Sequence, residues 1–179
     1  MDYYTNIIEE IPGLYKVVPL TPFRKTEGVT FDLIPKELVG KISSIDRVIH
    51  KYNAISPGPL ENIERPWYMH LAQDDNLIVL QGERFVELYN KDHGKIESFT
   101  VTNTSIKSGD RIIYEGGAML VWPCDVFHRI TSGEMGSASL NFAVHYNNFD
   151  IKSNFNIYSL DEETGVSSVV REGFKDQKI

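Results

Sequence analysis

The middle of this chain is cut into short apolar runs by glycine and proline, about every eight to twelve residues, and that punctuation limits the folds open to it. No helical period longer than about ten residues survives there. Runs rich in β-branched and aromatic residues fill the intervals instead. The expected strands are 45–55, 67–71, 76–81, 84–90, 96–104, 111–114, 118–122, 127–131 and 139–146. Ser56-Pro57-Gly58-Pro59, Lys91-Asp92-His93-Gly94, Ser108-Gly109-Asp110 and Gly116-Gly117 are turn chemistry between them. Gly82 permits a bend or bulge in an otherwise continuous ribbon. The pattern predicts an all-β sandwich or barrel.

The flanks are less regular. Residues 1–23 alternate short apolar pieces with prolines and read as one or two strands, followed by a polar loop over 24–30. Pro35 with Lys36-Glu37-Leu38-Val39 behind it predicts a short helix, because proline suits the first helical turn. After Tyr146 the pattern weakens. The tail 161–179 reads as a short helix, a partner-binding arm or a partly disordered end. A chain of 179 residues suits one domain that buries about 70% of its unfolded surface, with the barrel core at about 45–147.

Charge and cysteine content remove several classes. The formal net charge of -7 repels a phosphate backbone, so nucleic acid is not an expected partner. The one cysteine, Cys124, excludes an internal disulfide, and Asp125 beside it disfavours a reactive thiolate. No run reaches the roughly 18 apolar residues of a membrane helix, and the first residues lack the layout of a signal peptide. The expectation is a cytoplasmic protein.

Two stretches carry the chemistry. Arg65 to Gly82, RPWYMHLAQDDNLIVLQG, sets His70 among aromatics before an acidic turn. Gly117 to His128, GAMLVWPCDVFH, breaks an apolar strand at Pro123 and returns a histidine at the start of the next. Two hairpins that each present a histidine suggest one pocket in a barrel. His70 suits a general base and Arg47, Arg65 and Arg84 suit clamps for a diphosphate or carboxylate. Tyr68, His128 and His145 complete the expected ligand-binding set. As an alternative, His70, Asp75 and His128 could instead ligate a divalent transition metal, with His145 and His50 substituting from neighbouring strands. Trp67 and Trp122 read as packing residues.

GAMLVWPCDVFH resembles the second motif of the cupin superfamily, with Gly117, Pro123 and His128 at its glycine, proline and histidine positions. Counting back from Gly82 puts Asp75 and His70 at the acidic and second histidine positions of the first motif, with Tyr68 where the first histidine stands. The Ile11-Pro12-Gly13 opening and the histidine spacing are similar to the dTDP-4-dehydrorhamnose 3,5-epimerase and sugar-isomerase branch. The resemblance implies a cupin jelly roll with short N-terminal strands and at most one or two short helices. It also implies a homodimer, no metal or other cofactor, a sugar or nucleotide-sugar ligand, and His70 as the base of an epimerase or isomerase. Departures are Trp67-Tyr68-Met69 before the histidine, Ala72 after it, and Asn141-Phe142 near the branch's later tyrosine. The alternatives are a metal-dependent cupin enzyme with His70 and His128 as ligands, and a non-catalytic binding protein.

Overall fold

The computed structural model describes residues 6–178. In chain order the strands are β1 Glu9–Ile11, β2 Tyr15–Pro19, β3 Thr21–Thr26, β4 Val29–Leu33, β5 Ser44–His50, β6 Ile55–Ser56, β7 Trp67–Met69, β8 Gln73–Tyr89, β9 Glu97–Thr102, β10 Ser105–Ser108, β11 Arg111–Glu115, β12 Ala118–Trp122, β13 Phe127–His145, β14 Ile157–Leu160 and β15 Ser167–Arg171. Among the described residues the helical pieces are two short 3-10 turns, Lys36–Leu38 and Gly173–Asp176. This is the expected cupin-like jelly-roll sandwich. No helix of the described residues is long and apolar enough to cross a membrane.

Two long strands carry both walls. β8 and β13 pair antiparallel along nearly their whole length, and both turn a corner at the same level. Gly82 (φ 72) lies opposite Ser137, where the register shifts between Ser132 and Ser137. The first half of β8 continues through β12 to β2, and the matching half of β13 continues to β5. The second half of β8 pairs with β9, and the matching half of β13 pairs with β6 and β7. β14 and β15 extend the sheet beyond β7.

Alternation along these strands decides what fills the interior. Leu77, Val79, Val86, Leu88, Phe99, Val101, Ile106, Leu120 and Trp122 form the main core with Leu14, Tyr15 and Val17. The opposite face of the first sheet is also apolar. There Val18, Ile78, Met119, Val121 and Phe142 pack under Val39, Ile34 and Leu38. Both faces of β12 are therefore buried, and all five of its residues are apolar.

Several boundaries differ from the sequence reading. The strands expected at 76–81 and 84–90 are one strand, because Gly82 bends the ribbon without ending it. The strands expected at 127–131 and 139–146 are likewise one. The strand from Ile45 stops at His50, where Asn53 takes a left-handed turn (φ 51). The expected loop 24–30 lies within a hairpin, β3–β4, turning at Gly28 (φ 71). The tail forms β15 and a 3-10 turn: Gly173 N–H donates to Asn156, Phe174 N–H to Lys152, and Arg171 pairs with Asp176.

A Cβ at Gly82 would sit 2.0 Å from the Gly136 carbonyl oxygen, at a φ that L-residues avoid. Gly82→Ala is expected to cost about 2–3 kcal/mol in chemical denaturation. A change under about 0.5 kcal/mol would contradict this account of the corner.

Candidate functional site

Inward positions at one end of the sandwich are polar. β8 presents Gln73 and Asp75, β13 presents His128, Ser139 and Asn141, and β7 presents Tyr68. His70 follows β7 directly and is 5% exposed. They line a cavity of about 570 Å³. Ile151, Phe155 and residues 173 and 176–178 line it too, so the C-terminal segment forms part of its wall.

Three ligand-type atoms converge there. One ligand atom each from His70, Asp75 and His128 lies within 4.8 Å of the others, and all three side chains are buried. His70 Nδ1 is 2.6 Å from the Asn154 carbonyl oxygen. A carbonyl only accepts, and at 2.6 Å it is a far closer partner than Asn154 Nδ2 at 3.4 Å, so Nδ1 carries the proton and Nε2 is left with its lone pair. That lone pair faces Asp75 Oδ2 at 3.3 Å, and Oδ2 has no hydrogen-bond partner among the described residues. His128 repeats the arrangement, with Nδ1 3.2 Å from the Val126 carbonyl. Its ring centroid is 4.8 Å from that of His70. Acceptors face acceptors across this small volume, and a cation is what such a set lacks.

The acceptors are held in place from behind. Asp75 Oδ1 accepts from Gln73 Nε2 (2.8 Å) and from Asn141 Nδ2 (2.5 Å), which turns Oδ2 inward. Asn154 Nδ2 donates to Gln73 Oε1 at 3.1 Å. The carboxamides orient the carboxylate, and two backbone carbonyls fix the imidazole tautomers. Outer partners of this kind are what metal ligands require.

The expectation of a site without a cofactor is therefore corrected. The buried His70–Asp75–His128 cluster is compatible with metal coordination, and its donor set of two imidazoles and a carboxylate is one that transition metals accept. A small polar ligand also has partners here. Trp122 Nε1, Ser139 Oγ and His50 Nδ1 line the cavity and are buried without hydrogen-bond partners among the described residues. Burial raises the Tyr68 phenol, which keeps its proton at neutral pH.

Of the residues singled out in the sequence, Tyr68, His70, Asp75, Arg84 and His128 line this cavity, as does His50. Arg47 is exposed, on the face of β5 opposite to Asp46, Val48 and His50. Arg65 pairs with Glu87 at 2.9 Å outside the cavity. His145 stacks on Phe149 with centroids 3.6 Å apart. Trp67 is a packing residue, with the Arg129 guanidinium 3.9 Å above its ring, whereas Trp122 lines the cavity. Gln73 and Asn154 were not singled out, and Asn141 was noted only as a departure near the branch's later tyrosine. Gln73 two residues before Asp75, on the same strand face, was the available signal.

Comparison with known proteins agrees on the fold. No protein-family profile matches the chain, and no curated protein does. Solved structures do match. dTDP-4-dehydrorhamnose 3,5-epimerase from Elizabethkingia anophelis superposes with TM-score 0.57 at 11% identity, over 82% of this chain and 77% of that one. QdtA, a sugar 3,4-ketoisomerase from Thermoanaerobacterium thermosaccharolyticum solved with TDP, gives 0.54 at 12% identity, over 76% and 82%. A dTDP sugar isomerase from Desulfovibrio desulfuricans gives 0.54 at 13%, over 75% and 80%. The chain thus has the cupin-like fold of these sugar isomerases and epimerases.

Burial pushes His128 down to about 4, with His70 next to it adding to the effect. Burial, and then Arg84, push His50 down from 6.5 to about 4. Both rings are neutral in the folded chain at pH 7 and take up protons on unfolding between these values. The unfolded state binds more protons in that window, so stability is complete above about pH 6.5 and falls as pH drops toward 4. Denaturation midpoints are expected to fall across this window, and His50→Gln is expected to flatten the fall. Equal pH slopes for the two proteins would contradict the neutral, buried His50.

Proposed function

We propose that this chain is a metal-dependent enzyme of cupin fold that acts on a small polar molecule of the sugar class. His70 Nε2, His128 Nε2 and the Asp75 carboxylate would hold a divalent transition metal. The observation that carries this reading is the orphaned Asp75 Oδ2, 3.3 Å from His70 Nε2, in a buried cluster where one ligand atom each of His70, Asp75 and His128 lies within 4.8 Å of the others. The sugar part rests on likeness of fold to the ketoisomerases and epimerase.

Two imidazoles and one carboxylate leave coordination positions open, and a metal held there supplies Lewis-acid polarisation of a ligand oxygen. The chain's own groups do the remaining work. Asn154 and Val126 carbonyls hold the two imidazoles in one tautomer. Gln73 and Asn141 hold the carboxylate. Tyr68 and Trp122 offer an O–H and an N–H to ligand oxygens, and Tyr68 is the side chain placed to deliver a proton. Leu77, Ile130 and Phe155 exclude water from the same volume. The expected reaction class is isomerisation or epimerisation next to a carbonyl.

A second reading has its own observation. The 3.3 Å approach of Asp75 to His70 also suits a proton between them, with His70 as the acid–base group of an isomerase that uses the pair alone. Metal content separates the two. Elemental analysis of untagged protein is expected to find close to one transition metal per chain. His70→Ala, His128→Ala and Asp75→Asn should each lose it, and Asn141→Ala should weaken affinity about 10–100-fold. Folded wild-type protein that neither carries a metal nor takes up cobalt(II) at micromolar concentration would sink the metal reading and favour the second.

The proposal includes a homodimer. Phe23, Val29, Phe31 and Leu33 of the β3–β4 hairpin are exposed apolar residues that a second copy would cover. Light scattering at twice the chain mass supports it, and a single chain mass refutes it.

A further inference from the structure

The cavity holds a charge that the metal centre does not explain. Arg84, on β8 just past the Gly82 corner, is 2% exposed and lines the cavity. Its Nε donates to Ser137 Oγ (3.1 Å) and its Nη2 to the Val48 carbonyl (3.1 Å). Both acceptors are neutral. No carboxylate among the described residues pairs with it, although Asp46 and Asp75 line the same cavity. Asp46 is taken up by Ser44 and Asn141, and Asp75 Oδ1 by Gln73 and Asn141, while Asp75 Oδ2 is turned to the His70–His128 cluster. A guanidinium has five N–H groups, so with two engaged the remaining three lack an acceptor among the described residues. Buried charges are ordinarily paired. Here the neighbour is His50, a neutral ring whose Nδ1 is itself without a partner.

We propose that Arg84 is an anion subsite, and that the natural ligand of this cavity, a sugar-class molecule on the reading above, carries a carboxylate that supplies the missing partner. The planar fork of arginine matches a carboxylate in two parallel hydrogen bonds. Arg84 is the buried cation of the cavity, Lys178 lies exposed at its wall, and Asp46, Asp75 and Asp176 face the same space, which favours one negative charge over two, hence a carboxylate over a phosphate. Burial without a partner lowers Arg84 to about 10, which leaves it charged at neutral pH.

The ladder register gives the distance to the metal-compatible cluster. Arg84 pairs with Ser132, four residues along β13 from His128, and it bonds Ser137, four residues from Asn141, which holds Asp75. Both walls therefore put Arg84 about 13 Å along the strands from the cluster, shortened at each end by side-chain reach. Ser139, with an orphaned hydroxyl, lies between on the same face. One molecule would place its carboxylate on Arg84 and present its other end to His70 and His128. That last placement rests on the metal reading; the anion subsite does not.

The test is a titration of metal-free protein, kept in EDTA, followed by the NMR signals of the Arg84 Nε–H and Trp122 indole N–H. Acetate is the probe, acetamide its neutral isostere, and inorganic phosphate the dianion. Acetate is expected to shift the Arg84 signal saturably at millimolar concentration, acetamide not, and phosphate more weakly than acetate. Arg84→Lys should weaken acetate binding by about tenfold or more, since the ammonium cannot form the fork. Arg84→Met should abolish it, provided its spectrum remains dispersed. Equal responses to acetate and acetamide, or acetate binding unchanged in Arg84→Lys, would overturn the proposal, and tighter phosphate binding would overturn the carboxylate assignment. The titration is made on metal-free protein, so the acetate response does not depend on a metal at the His70–Asp75–His128 cluster. Loss of the metal reading alone would thus leave this result standing.

Discussion

The ladder between β8 and β13 is the constraint on which the rest of the molecule depends. These two strands belong to both walls, and they can do so only because Gly82 and the register shift near Gly136 let them turn together. A side chain at position 82 would collide with the backbone of the partner strand. One half of the ladder puts Asp75 opposite Asn141's side of the cavity, and the other brings His128 beside Tyr68. Arg84 follows the corner itself. The positions of Gln73, Asp75, Arg84, His128, Ser139 and Asn141 in the cavity are thus consequences of one paired bend.

Within that frame the cavity is electrostatically unfinished in two places. At the cluster, acceptors face one another: two imidazole nitrogens whose opposite edges donate to backbone carbonyls, and a carboxylate oxygen with no donor. At the corner, a cation has only neutral acceptors. Folding alone gives no return for burying either group, because an unsatisfied buried polar atom costs about 1–3 kcal/mol and a charge more. A cation at the first place and an anion at the second would each complete a set that the backbone holds in position.

The sequence showed the fold more clearly than the site. Glycine and proline punctuation marked most strand centres, and the spacing of Gly117, Pro123 and His128 pointed to one pocket with His70. Gly82 was legible as a bend but not as a bend inside one strand, because local pattern does not report whether the ladder continues across it. Arg47 could be placed, since alternation sets it on the face opposite His50; Arg65 sits in a loop, where no period applies. Asp75 followed from counting, but the direction of its carboxylate did not. Gln73 and Asn141 set that direction, and Asn141 comes from 66 residues away. Asn154 reaches His70 and Gln73 from a segment with no hydrophobic period at all, across more than 80 residues. Long-range hydrogen bonds leave no mark on local periodicity, which is why the segment after Tyr146 offered no site residue to the sequence reading.

The central claim is that His70 and His128 present bare Nε2 atoms to Asp75. Histidine nitrogen NMR of the metal-free protein near neutral pH tests it most directly. The account predicts the Nδ1–H tautomer for both rings, with added zinc moving the Nε2 resonances of both and leaving the Nδ1–H groups in place. A His70 ring protonated on Nε2, alone or as an imidazolium, with no response to zinc, would show that the cluster is closed by a proton and would contradict it.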